Sequence, residues 1–116
     1  MSLMFPKHPK KKKRLKHRKS ILHVKNGTCY LCMSLDGDYN RGKITEEHHI
    51  FGGPNRKHSE AAGLKVHLCV EHHRTGPKAV HRNQEINDLL HIKGQQAFER
   101  DHTRKEFMGM IGKNYL

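Results

Sequence analysis

A chain of 116 residues carries 23 Lys and Arg against 11 Asp and Glu, a formal net charge of +12, with 34% hydrophobic residues and no Trp. That length holds at most one small domain with tails, and so thin a core calls for a staple such as a metal or disulfides. The charge calls for a polyanionic partner, nucleic acid ahead of a membrane surface; no apolar run reaches bilayer length and the N-terminus lacks an apolar signal segment, which argues for a soluble, intracellular protein.

Residues 1–20, "MSLMFPKHPKKKKRLKHRKS", hold nine Lys and Arg between Lys7 and Lys19. Such a run cannot bury apolar surface and is expected to be a mobile basic arm, with a helical turn or two near "RLKHRKSILHV". "PKKKKRL" has the look of a nuclear import signal, but a solvated tail that adds sequence-independent phosphate affinity is the better reading. Next, "KITEEHHIF" reads as a short strand over 44–50, and the turn-rich "FGGPNRKHSEAAG" over 51–63 as a loop. "GLKVHLC" (63–69) alternates, with Leu64, Val66 and Leu68 on one face and Lys65, His67 and Cys69 on the other, as a second strand does. Thr75 or Gly76 as N-cap and Pro77 at the first position predict a helix over about 77–92. Ile86, Leu89, Leu90 and His91 would share its face. After a break at Gly94 come Ala97 and Phe98, then Phe107, Met110 and Ile111 with Gly112 as the stop. These stripes read as packing surface for a core that the middle of the chain cannot fill alone.

Three cysteines cannot all pair, and in a reducing compartment "CYLC" reads as a metal hook or a redox pair. Twelve histidines favour metal. Cys29-x-x-Cys32 is followed 37 positions later by Cys69-x-x-His72, and the two halves together make a Cys₃His set of the kind that binds zinc tetrahedrally. The competing readings are a free buried Cys69 beside a surface CxxC, and a thiol–disulfide pair. The latter lacks a βαβ setting. Zinc here would replace missing core, so metal binding and folding would be coupled.

Four histidines remain: His48, His49, His73 and His81. With "EEHHIFGG" at the end of the first strand and "LCVEHHR" after the second, residues 29–83 resemble the HNH endonuclease family, the ββα-metal nucleases, in the form found in small bacteriophage-type proteins. The resemblance implies an α+β fold: a small zinc-stapled ββα-metal core over 21–92, after the arm 1–20, with a C-terminal helical extension over 93–116 packed on it. It implies His48 and His73 as ligands of a catalytic divalent ion and His49 as general base, with 5′-phosphate and 3′-hydroxyl products. Two departures stand out. The family's middle Asn has no counterpart, so another group must hold His49. Where some members carry a third ligand there is Pro77, and His81, one turn into the helix expected after it, takes that role.

The pairing has a chemical logic. Neighbours on a strand face opposite ways, so His48 can serve an ion on one face while His49 stays unligated and takes a proton from water on the other. An imidazole of ordinary pKa near 6.5 suits that work at neutral pH. The expected activity is metal-dependent hydrolysis of DNA phosphodiester bonds, of low sequence specificity or nicking type, with structural Zn²⁺ and catalytic Mg²⁺, Mn²⁺ or Ni²⁺. Branched and single-stranded DNA fall within the substrate class, and a protein partner is left open. Arg41, Lys43, Arg56, Lys57, Arg74, Lys78 and Arg82 are the candidate phosphate contacts, which position a duplex without reading it. The alternative is a non-catalytic zinc module that binds nucleic acid, which has no need of His49.

Overall fold

The computed structural model describes residues 17–116, and its centre is a two-stranded antiparallel hairpin. Strand β1 (Thr45–His49) pairs with β2 (Lys65–Cys69), setting His48 opposite Val66 and His49 opposite Lys65. The Ile50 N–H donates to the Leu64 carbonyl, so pairing runs one step beyond the strand ends.

The segment joining the strands is not the loop expected over 51–63. A 3₁₀ turn at Gly53–Asn55 leads into helix α2 (Arg56–Ala62). Gly52, Gly53 and Pro54 mark only the entrance. The residues after them include good helix formers, and Gly63 closes the helix with a left-handed φ of 73°. A Cβ at Gly63 would stand 2.4 Å from the Lys19 carbonyl oxygen, so both backbone conformation and space demand glycine. The buried Ser59 hydroxyl accepts from the Phe51 N–H and donates to the Phe51 carbonyl, fastening α2 to the strand exit.

Before the hairpin, Cys29 caps helix α1 (Tyr30–Asp36), which ends at Gly37 in the left-handed region. After it, a π-type turn occupies Glu71–Thr75. The helix expected from Pro77 begins only at Gln84: α3 runs Gln84–Phe98, and the Asn83 side chain, not Thr75 or Gly76, accepts from the Ile86 N–H. Residues 76–83 instead fold back on the π-turn, with the Val80 and His81 N–H groups donating to the His72 and His73 carbonyls. Gly94 does not break α3. A Cβ there would meet Ile50 Cγ2 at 3.0 Å, so the glycine lets the helix lie close against the strand exit. The boundary placed at 92/93 therefore falls inside one continuous helix. Helix α4 (Arg104–Ile111) starts with a Thr103–Glu106 capping box and stops at Gly112, the stop expected from the sequence.

Leu31, Ile50, Phe51, Leu64, Val66, Leu68, Leu90, Phe98, Phe107 and Ile111 form one core, so α3 and α4 cover the hairpin. No helix among the described residues is long and apolar enough to cross a membrane. Residues 1–16 of the basic arm lie outside the described residues, but 17–20 are not a loose tail. The Arg18 and Ile21 N–H groups donate to the Glu60 and Gly63 carbonyls, and the Ser20 hydroxyl donates to the Lys65 carbonyl. Residues 17–24 form no helical turn, because these bonds hold the backbone against α2 and β2 instead.

His23 is buried behind this segment. Its Nδ1 accepts from the His67 N–H at 3.1 Å and its Nε2–H donates to Thr28 Oγ1 at 2.8 Å. Burial, with His67 nearby, lowers its pKa to about 4. A protonated ring would lose the bond from His67, so the unfolded chain binds the proton first as pH falls below 6.5, and the stability present above that pH drains away down to about 4. We expect zinc-saturated protein to lose about 1.4 kcal/mol more per pH unit across that window than a His23→Asn variant. Denaturant melts at stepped pH check this, and parallel profiles would remove His23 as the cause.

Candidate active site and metal centre

The hairpin end, α1 and the π-turn bring Cys29, Cys32, Cys69 and His72 together, with donor atoms all within 4.8 Å of one another. His72 Nδ1 lies 3.6, 3.2 and 3.4 Å from the three sulfurs of Cys29, Cys32 and Cys69, and Cys32 and Cys69 are 3.9 Å apart. This set could bind a metal ion such as zinc, and its chemistry fits one: three thiols and an imidazole around a common centre. Burial pushes the Cys32 thiol up to about 12, with Cys29 and Cys69 adding to the shift against the opposing pull of Lys43. A bound cation is what would favour the thiolate there.

A second group, His48, His73 and His81, gathers on the other side of the π-turn. His48 comes from β1 and His73 from the turn that also carries His72. His81 comes from the fold-back at 76–83 and not, as expected, from a helix begun at Pro77, because the α3 cap lies two residues later at Asn83. His48 is 8% exposed, and its Nε2 is buried without a hydrogen-bond partner. Burial, reinforced by His73 and His81, lowers the His48 pKa to about 3 and keeps the ring neutral, the form that binds metals. His73 Nδ1 sits 2.7 Å from Glu46 Oε1, so Nδ1–H donates there and Nε2 turns to the cluster, 3.1 Å from His81 Nε2. Two imidazole nitrogens so close, beside an orphaned third, fit a shared cation. Glu46 also takes a bidentate pair from Arg74, and these contacts hold its carboxyl near a pKa of 2.

His49 faces away from this trio. Its Nε2–H donates to Glu60 Oε1 at 2.7 Å, while Arg56 Nε donates to Nδ1 at 3.4 Å. Nδ1 therefore carries the lone pair. Glu60 is the group that orients the His49 ring. It also receives Lys65 and His17, and its carboxyl is held near a pKa of 2, chiefly by His49. Glu47, His49 and Glu60 are near enough to hold a cation, but Lys65 Nζ already lies 3.0 Å from Glu60 and 3.5 Å from Glu47. Both histidine groups open on one cleft of ≈ 570 Å³, which Gln84, Asn87 and His91 of α3 close on the far side.

Of the expected phosphate contacts, Arg56 alone lines this cleft. Lys57 lines its neighbour. Arg74 is paired with Glu46, Arg82 donates to the Thr75 carbonyl, and Lys43 is paired with Asp38. Arg41 and Lys78 are exposed. Sequence reasoning missed Glu46 and Glu60. The first shares a strand face with His48, two residues away, and period-two alternation could have found it. No local pattern ties Glu60 to His49.

Comparison with protein-family models, curated proteins and solved structures found no match to this chain.

One zinc ion per chain is expected at the Cys₃His set. Cys32→Ser should abolish that stoichiometry together with cooperative melting, because metal binding is part of the folding free energy in such sites. Zinc analysis alongside calorimetry checks this, and a variant that melts as the wild type does would show the set is not a staple. A gentler change, Glu46→Ala, should lower divalent-ion affinity at the imidazole trio about 10–100-fold with zinc retained, as read by Mn²⁺ titration.

Proposed function

We propose that this protein is a metal-dependent endonuclease of the HNH type that hydrolyses DNA phosphodiester bonds, with its Cys₃His set holding a structural zinc ion. One observation carries the reading. An imidazole trio and a separately oriented His49, fixed by a carboxylate and outside both the Cys₃His set and the trio, face the same cleft. A zinc-containing binding module has no use for the second arrangement.

The chain's own groups support the chemistry. Glu60 holds the His49 ring with Nε2 protonated and Nδ1 basic. Arg56, now on Nδ1, is long and exposed enough to turn toward a phosphate and release that lone pair. His49 then takes a proton from a water molecule as its oxygen bonds to phosphorus and the bond to the 3′ oxygen breaks. The products are a 5′-phosphate and, after protonation from solvent, a 3′-hydroxyl. His48, His73 and His81 would hold a divalent ion, which when bound would supply charge neutralisation for the reacting phosphate. The ionised Glu60 also stabilises the imidazolium that forms on His49.

The test is plasmid nicking with Mg²⁺, Mn²⁺ and Ni²⁺ against an EDTA control. His49→Ala should cost about 10²–10⁴-fold in rate, with DNA affinity and zinc content kept. His48→Ala and His73→Ala should also fail but recover partly in excess Mn²⁺ or Ni²⁺, whereas excess metal should not restore His49→Ala. Glu60→Gln should slow nicking while leaving zinc content unchanged. A wild-type protein that nicks no duplex, branched or single-stranded substrate would leave the binding-module reading standing, and an active His49→Ala would move the base elsewhere.

A further inference from the structure

The catalytic cleft does not stand alone. A second cleft of ≈ 530 Å³ shares Glu47, His49 and Arg56 with it, and a third of ≈ 450 Å³ shares Glu47 and His17 with the second. Each has the volume of a small-molecule pocket, but three opening in series on shared walls make a trough suited to a polymer. Its charge is one-sided. Arg56 and Lys57 line the middle, and Arg18, Lys19 and Lys25 line the end remote from His81. Beyond the imidazole trio the wall is Val80, Gln84, Asn87 and His91, with no Lys or Arg. The acids within the trough are already matched: Glu60 by His49, His17 and Lys65, and Glu47 by Lys65 at 3.5 Å. The remote end is also fixed in place, since the hydrogen bonds of Arg18, Ser20 and Ile21 hold the 17–21 backbone to α2 and β2. The backbone that carries Arg18 and Lys19 is therefore held against α2 and β2.

We propose that this trough is a backbone track for one strand of duplex DNA, on which phosphates to one side only of the reacting bond are held, by Arg18, Lys19 and Lys25. The proposal takes the position of the reacting bond from the function proposed above, but the track itself is a binding site that needs no turnover. Contacts of this kind fix register and carry no sequence information. A strand so held would place its scissile phosphate between Arg56 and the imidazole trio, with the next phosphates running toward Lys19.

The test compares two full-length double variants of equal charge. Lys19→Ala/Lys25→Ala removes cations from the track, and Lys93→Ala/Lys105→Ala removes two from α3 and α4. Binding of zinc-loaded protein to a labelled duplex, with no Mg²⁺, Mn²⁺ or Ni²⁺ added, is followed by anisotropy over a salt series. The track variant should flatten the slope of log affinity against log salt by about 0.9 for each phosphate that the protein no longer neutralises, and the control should keep the wild-type slope. Equal flattening in both would overturn the track in favour of diffuse attraction, as would a wild-type protein that does not bind duplex. Single methylphosphonate linkages, which lack the charge, are then placed stepwise on either side of the mapped nick. Interference with nicking on one side is expected, and symmetric interference would overturn the one-sided hold. A protein that binds as expected but never nicks would sink the nuclease reading and leave the track intact.

Discussion

Four side chains from separate pieces of the fold meet at one point. Cys29 and Cys32 come from the cap and first turn of α1, Cys69 ends β2, and His72 lies in the π-turn just after it. A hairpin with five residues in each strand is marginal by itself. A metal ion held at that point would tie the hairpin's exit to a separate helix and close the 37-residue span between Cys32 and Cys69, the sort of constraint that removes most from the unfolded ensemble. His73 follows His72 directly, so the convergence that anchors the turn also sets where the imidazole trio can form. Fold and candidate site share one foundation.

Carboxylates do the finer positioning. Glu46 and Glu60 each grip one ring nitrogen of a histidine and so decide which nitrogen is left to act. Each is itself held by a cation, Arg74 in one case and Lys65 in the other. In a chain this basic, few acids are available, and two of them sit behind the histidines that carry the proposed chemistry.

How much of this was legible in the sequence follows from the range of each interaction. The Cys₃His spacing and the two strands were readable because a knuckle and a period-two pattern are local. So was the stop of α4 at Gly112, a glycine directly after the last apolar residue of its stripe, whereas the Thr103–Glu106 cap at its start was not read. The start of α3 was misplaced because Pro77 and Gly76 mimic a helix entrance, while Asn83 offers the real cap only once residues 79–82 have folded back on the π-turn. Helix α2 was hidden by the glycines and proline that precede it. Gly94 looked like a break because its reason, the close approach of Ile50 and Phe51, is tertiary. Glu60 was invisible for the same reason, since eleven residues and a chain reversal separate it from His49.

The two adjacent histidine pairs are sorted by different devices. A strand sends His48 and His49 to opposite faces by its pleat. The π-turn sends His72 to the sulfurs and His73 to the open cleft by rotation about a helical axis. In both cases the destination of a ring is set by its count along the backbone and not by its own chemistry. Exchanging neighbouring side chains would leave each address in place, whereas removing one residue between Cys69 and His72 would send His73 to the sulfurs and Arg74 to the cleft, and adding one would send Glu71 to the sulfurs and His72 to the cleft. Such a segment has freedom in composition and almost none in length.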